Sequence, residues 1–83
     1  MAPKVSINQV KAARALLGWS QETLAEASGV SEPTIKRLEA AEGDLGGRPD
    51  TIEKITGALE AAGIEFISEN GGGAGVRLKN RGS

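Results

Sequence analysis

SQETLAEASGVSEPTIKRLE, residues 20–39, has the pattern of two short helices joined at a glycine. Ser20 is an N-cap that opens the first helix, whose inner face carries Leu24, Ala25 and Ser28. Gly29 breaks the period, and the turn needs a residue that tolerates positive φ. Ser31 supplies a second cap, with Thr34 three residues on. Ile35 and Leu38 then share one face of the second helix, while Lys36 and Arg37 point out. Two helices that meet steeply near their junction need a small residue where they cross. Ala25 sits there, and Val30 can fill the gap between them.

Each of these features is common; the joint pattern of Gln21, Ala25, Gly29, Val30, Ile35 and Leu38 is not. LLGWSQETLAEASGVSEPTIKRLEA resembles the lambda-repressor-like, Cro/repressor-type (XRE-type) helix-turn-helix family, over about residues 7 to 62. WSQETLAEASGVS and TIKRLE are its sharpest parts. The resemblance implies a mainly α fold, a four-helix DNA-binding domain whose third helix lies in the major groove of double-stranded DNA. A C-terminal β-hairpin falls outside the shared core.

Residue by residue, the resemblance implies that Glu32, Pro33, Thr34 and Arg37 reach base edges or the adjacent backbone. Arg37 could bond guanine O6 and N7, and Thr34 a phosphate or a thymine methyl. Gln21 matches a glutamine that hydrogen-bonds a phosphate at a helix N-terminus. Lys36 is expected on a phosphate, and Arg48 matches a basic residue that approaches the backbone. Arg14 interrupts an apolar face and, by the same resemblance, pairs with Glu39. Glu32 has two open readings: an acceptor for cytosine N4, or an ion pair with Lys36 four residues on. The family's usual Asn-Gly or Ala-Gly helix ending is absent, so the recognition helix is expected over 31–42, with Gly43 as its stop.

The 83 residues hold one domain with a thin core. Trp19 and Phe66 are the only aromatics, and Trp19 reads as packing between the first two helices. With no cysteine and no histidine, disulfides, thiolate metal sites and the commonest general base are excluded. No catalytic cluster, cofactor or metal site is expected. The N-terminus lacks a signal-peptide core and no run reaches membrane-span length, so a cytoplasmic protein is expected. A formal charge of −1 argues against coating nucleic acid indiscriminately, but not against a local basic face.

Along the chain, residues 1–5 read as a frayed arm from which Lys4 could touch a phosphate. Ser6 and Gln9 form a capping box for the first helix, which Gly18 ends. EGDLGGRP, residues 42–49, is a loop with Leu45 tucked onto the core. Asp50 and Glu53 read as a second capping box, opening a helix that Gly63 stops. Thr51 or that helix N-terminus could bind a second phosphate. Gly57 inside it suggests a close helix contact. Residues 1–63 thus form the DNA-binding part and 64–79 a hairpin, while 80–83 are expected to be disordered. Ile64, Phe66, Val76 and Leu78 alternate with polar residues, and an isolated hairpin is marginal in water. These four are therefore expected to form a homodimer interface, with the fourth helix as the alternative dimer surface.

The expected function is sequence-specific transcriptional regulation, most simply repression, by a homodimer on an inverted-repeat operator. The alternative is a protein-interaction module, such as an antitoxin or antiactivator, that keeps the fold. Glu32 and the acidic balance favour the alternative.

Overall fold

The computed structural model describes residues 4–69 and 71–79. The element order is α1 (Ile7–Leu17), α2 (Gln21–Ser28), α3 (Glu32–Ala40), α4 (Pro49–Ala61), β1 (Ile64–Ile67) and β2 (Gly75–Leu78). The expected disordered tail and the first three residues of the arm lie outside the described residues.

Local chemistry sets the first three helix starts. Ser6 Oγ accepts from Gln9 N at 3.1 Å while Gln9 Oε1 accepts from Ser6 N at 2.8 Å, a reciprocal capping box. Ser20 and Ser31 each accept from the backbone N–H three residues on. Gly18 and Gly29 end α1 and α2 with φ of 69° and 77°. That left-handed conformation is strained for any residue with a Cβ.

The helices and the hairpin share one core, built from Val5, Ile7, Val10, Ala13, Leu24, Val30, Ile35, Leu38, Leu45, Ile55, Leu59 and Ile64. Trp19 and Phe66 only flank it, so the centre is aliphatic throughout. α2 packs on α3 and α4, and α1 crosses α3. β1 and β2 pair antiparallel, with β2 lying on α1 and β1 on α4.

Four expectations change. The recognition helix ends at Ala40, not near residue 42, because Ala41 is extended (ψ 179°). The chain leaves the helix there to pair with the N-terminal segment: Ile7 N donates to Gly43 O at 2.9 Å and Leu45 N to Val5 O at 2.8 Å. The inner end of the arm is therefore not frayed. Val5 is buried and Lys4 reaches Asp44 at 3.2 Å. Asp50 does not cap α4; the N-cap is Arg48, which makes no side-chain cap bond. Pro49 takes the first helical position with its φ already set, which moves Asp50 into the first turn. Gly57, finally, makes no close helix contact, since a Cβ there would meet nothing within 4 Å.

Candidate nucleic-acid interface

α3 buries Ile35, Leu38 and Glu39, which leaves Pro33, Lys36 and Arg37 facing solvent. Thr34 is half-buried, and its Oγ1 accepts from Ser31 Oγ at 2.8 Å, so the Thr34 O–H remains a free donor. Next to this face lies an open recess lined by Thr34, Arg37, Leu38, Gly47, Arg48 and Thr51. Four of the residues read from the sequence as DNA contacts thus meet from α3 and the start of α4. Arg37 makes no ion pair among the described residues. Arg48 approaches only the exposed Asp50, at 3.6 Å. The uncapped start of α4 turns its backbone N–H groups and the positive end of its dipole outward beside Thr51.

Lys36 Nζ stands 3.7 Å from Glu32 Oε2, the i,i+4 pair that was one of two readings of Glu32. Both side chains are more than a third exposed. Such a pair contributes little and can open toward a stronger partner.

Behind the exposed face, a polar network fixes how α3 is held. Arg14 Nε donates to Glu39 Oε2 at 2.8 Å and Nη2 to Oε1 at 2.7 Å, a two-pronged pair. Arg14 Nη1 also donates to Trp19 O at 3.0 Å, so one guanidinium ties α1, the α1–α2 link and α3. Gln21 Nε2 donates to Glu39 Oε1 at 2.9 Å. One of the two amide N–H groups of Gln21 is thus engaged inside the protein, on a carboxylate only 4% exposed that needs its donors, while the half-buried amide keeps a second N–H. Burial by itself would push the Glu39 carboxyl up. The hydrogen bonds from Arg14 and Gln21 and the Arg14 charge, with a smaller effect of Lys11, outweigh it and hold the group below its ordinary value of 4.5.

The four residues expected at a dimer interface separate. Ile64 is fully buried in its own chain and leaves that surface, since β1 presses it into the common core. Phe66, Val76 and Leu78 are half-buried against the same core and keep part of their surface in solvent. Sequence reasoning missed a second job of Gln9. Its Nε2 donates to Ile67 O at 3.1 Å and to Gly75 O at 2.9 Å, which clamps the loop end of the hairpin to the start of α1. The capping box accounted for its oxygen; nothing in the local pattern pointed its nitrogen 58 residues away.

A family model described as Helix-turn-helix matches residues 10–60. The chain belongs to this family. It is a DNA-binding helix-turn-helix regulator of the Cro/XRE type, and α2 and α3 are the two helices joined at the Gly29 turn within the matched residues. No curated protein matches the chain. Among the described residues no helix is long and apolar enough to cross a membrane. The match begins at residue 10 and stops before the hairpin, so Gln9 and the hairpin carbonyls it clamps all lie outside the matched residues.

Proposed function

We propose that this helix-turn-helix protein is a sequence-specific transcriptional repressor that occupies an inverted-repeat operator as a homodimer. One observation carries the reading: Thr34 and Arg37 on the outer face of α3 share an open recess with Arg48 and Thr51 at the uncapped start of α4. A duplex seated there meets base-reading groups in its major groove and phosphate-binding groups on its backbone at once. Arg37 takes guanine O6 and N7, and Thr34 and Pro33 offer a hydroxyl and an apolar edge to neighbouring bases. Arg48, Thr51 and the N-terminus of α4 hold one phosphate, and Lys36 leaves Glu32 for another.

Gln21 acts behind this surface, where it orients Glu39 and through it α3. Glu32 stays with Lys36 until DNA arrives and then faces a cytosine amine or solvent. Blocking of a promoter is the simplest regulatory outcome for a chain whose described residues form one DNA-reading unit.

Selection of bound fragments from a random DNA pool at physiological salt tests this. The expected result is one motif with two inverted half-sites whose centres lie about 34–36 Å apart. A pool that returns no preferred sequence overturns the operator reading and turns attention to a protein partner. With so few basic groups on the DNA side, affinity should fall only gently as salt rises.

A further inference from the structure

β2 offers an open backbone edge whose donors and acceptors are self-complementary. Lys79 N donates to Gly63 O at 2.7 Å, and the register sets Ile64 opposite Leu78 and Phe66 opposite Val76. In an antiparallel ladder, Glu65 with Arg77 and Ile67 with Gly75 are then the hydrogen-bonded pairs. The N–H and C=O groups of Val76 and Leu78 therefore point away from β1, and no described residue bonds to them. Such an edge is a template for another strand.

We propose that β2 of a second copy fills this edge, antiparallel about a two-fold axis at Val76, to give one four-stranded sheet. The proposal rests on the homodimeric reading above and names its surface. Charge selects both the occupant and the register. The Glu65–Arg77 pair, Nε to Oε1 at 3.0 Å, neutralises the outer face of the strand, so two copies approach without repulsion there. Centred on Arg77, the pairing would set the two arginines directly opposite, which is unfavourable. Centred on Val76, it sets Arg77 opposite the partner's Gly75.

Gly75 is not required by its own chain. Its φ lies outside the left-handed region, and a Cβ there would meet nothing within 4 Å. The bare surface it leaves is room for the arginine stem of the neighbour. On the inner face, half-buried Phe66 and Val76 continue into their symmetry mates as a row of four apolar side chains. Leu16, 46% exposed, stands seven residues along α1 from Gln9 on the same helical stripe, and β2 packs on that helix. It is the one large apolar side chain left open among the described residues. The Gln9 clamp then makes the sheet a rigid bridge between two recognition helices.

Sedimentation of the full chain over a concentration series, joined to amide hydrogen exchange, tests the interface. Val76→Pro deletes an edge N–H that the internal ladder does not use, and should raise the dimer dissociation constant about tenfold or more. Gly75→Lys should weaken the dimer more than Gly75→Glu, because both side chains take room from the partner's Arg77 but only the lysine also repels it. In the unaltered protein the Val76 and Leu78 amides should be protected at high concentration and exchange on dilution. Where Val76→Pro loses its helical signal, the Gly75 pair and the exchange data decide.

A dimer whose edge amides exchange freely, or whose constant ignores both Gly75 variants, overturns the edge and leaves the operator reading standing. A protein that stays monomeric both free and on its selected site overturns the edge and the homodimer together. Edge-dependent dimers with no preferred sequence in the random pool uphold the edge and sink the operator reading.

Discussion

Glu39 shows how one side chain can be expensive to bury and still hold a structure together. Its carboxylate is almost inaccessible, and Arg14 and Gln21 between them supply three donors. Removal of the carboxylate leaves the Arg14 charge uncompensated, so Glu39→Ala should cost about 3–5 kcal/mol in chemical denaturation. The pH dependence has a definite sign. The folded protein holds this carboxyl below 4.5, so the pair stabilises fully above that value and loses its effect as pH falls through the lower, folded one. The unfolding midpoint should therefore drop on acidification below about pH 4.5, and Glu39→Gln should flatten part of that slope. Arg37 is the opposite case, an exposed cation with no ion pair among the described residues. Arg37→Ala should leave stability within about 0.5 kcal/mol. It should weaken binding to the selected site by about 1–3 kcal/mol and relax preference at one base pair per half-site. Equal loss on every sequence would mean that Arg37 touches only the backbone.

At the scale of the element, α4 is the helix whose stability has room to rise. It starts without a side-chain cap because Arg48 holds that position, and Gly57 occupies an open site in its middle. Gly57→Ala fills no occupied space and should stabilise the fold by about 0.5–1 kcal/mol, read as a higher thermal midpoint. Arg48→Ser should also stabilise, by about 0.5–2 kcal/mol, through a new cap. On the proposed phosphate role of Arg48, the same change should weaken DNA binding on all sequences alike and lower the salt slope by about one. Gain of stability with loss of binding would identify Arg48 as a residue kept for its charge. A stability gain with unchanged affinity would remove it from the interface.

Across the whole molecule, the hairpin, α1 and the loop after α3 are joined by hydrogen bonds. Gln9 meets Ile67 O and Gly75 O with its nitrogen and Ser6 N with its oxygen. Ser6 bridges to Asp44, and Ile7 N reaches Gly43 O just beyond the recognition helix. Gln9→Leu keeps the volume but removes the second donor to each of two hairpin carbonyls and the acceptor for Ser6 N. It should cost about 1–3 kcal/mol and speed amide exchange in the hairpin before the helices. Uniform acceleration across the chain would show instead that the hairpin has no separate opening.

Much of this was legible in local pattern. Ser6 with Gln9, Ser20, Gly29 and Ser31 each state a helix boundary in chemistry that acts within four residues, and the alternation around Phe66 and Val76 states a strand. Arg14 with Glu39 was legible only through family resemblance, since 25 residues separate them. Other features answer to neighbours distant in the chain. Ala41 turns away from a helix it could have continued because Val5 and Ile7 offer Leu45 and Gly43 a ladder. Gln21 gives its amide to Glu39, and Ile64 sinks wholly into the core, for reasons no window of sequence contains. Capping and periodicity are short-range and are written into consecutive residues. Which buried carboxylate needs a donor, and which strand face meets a helix, is decided only when the chain closes on itself.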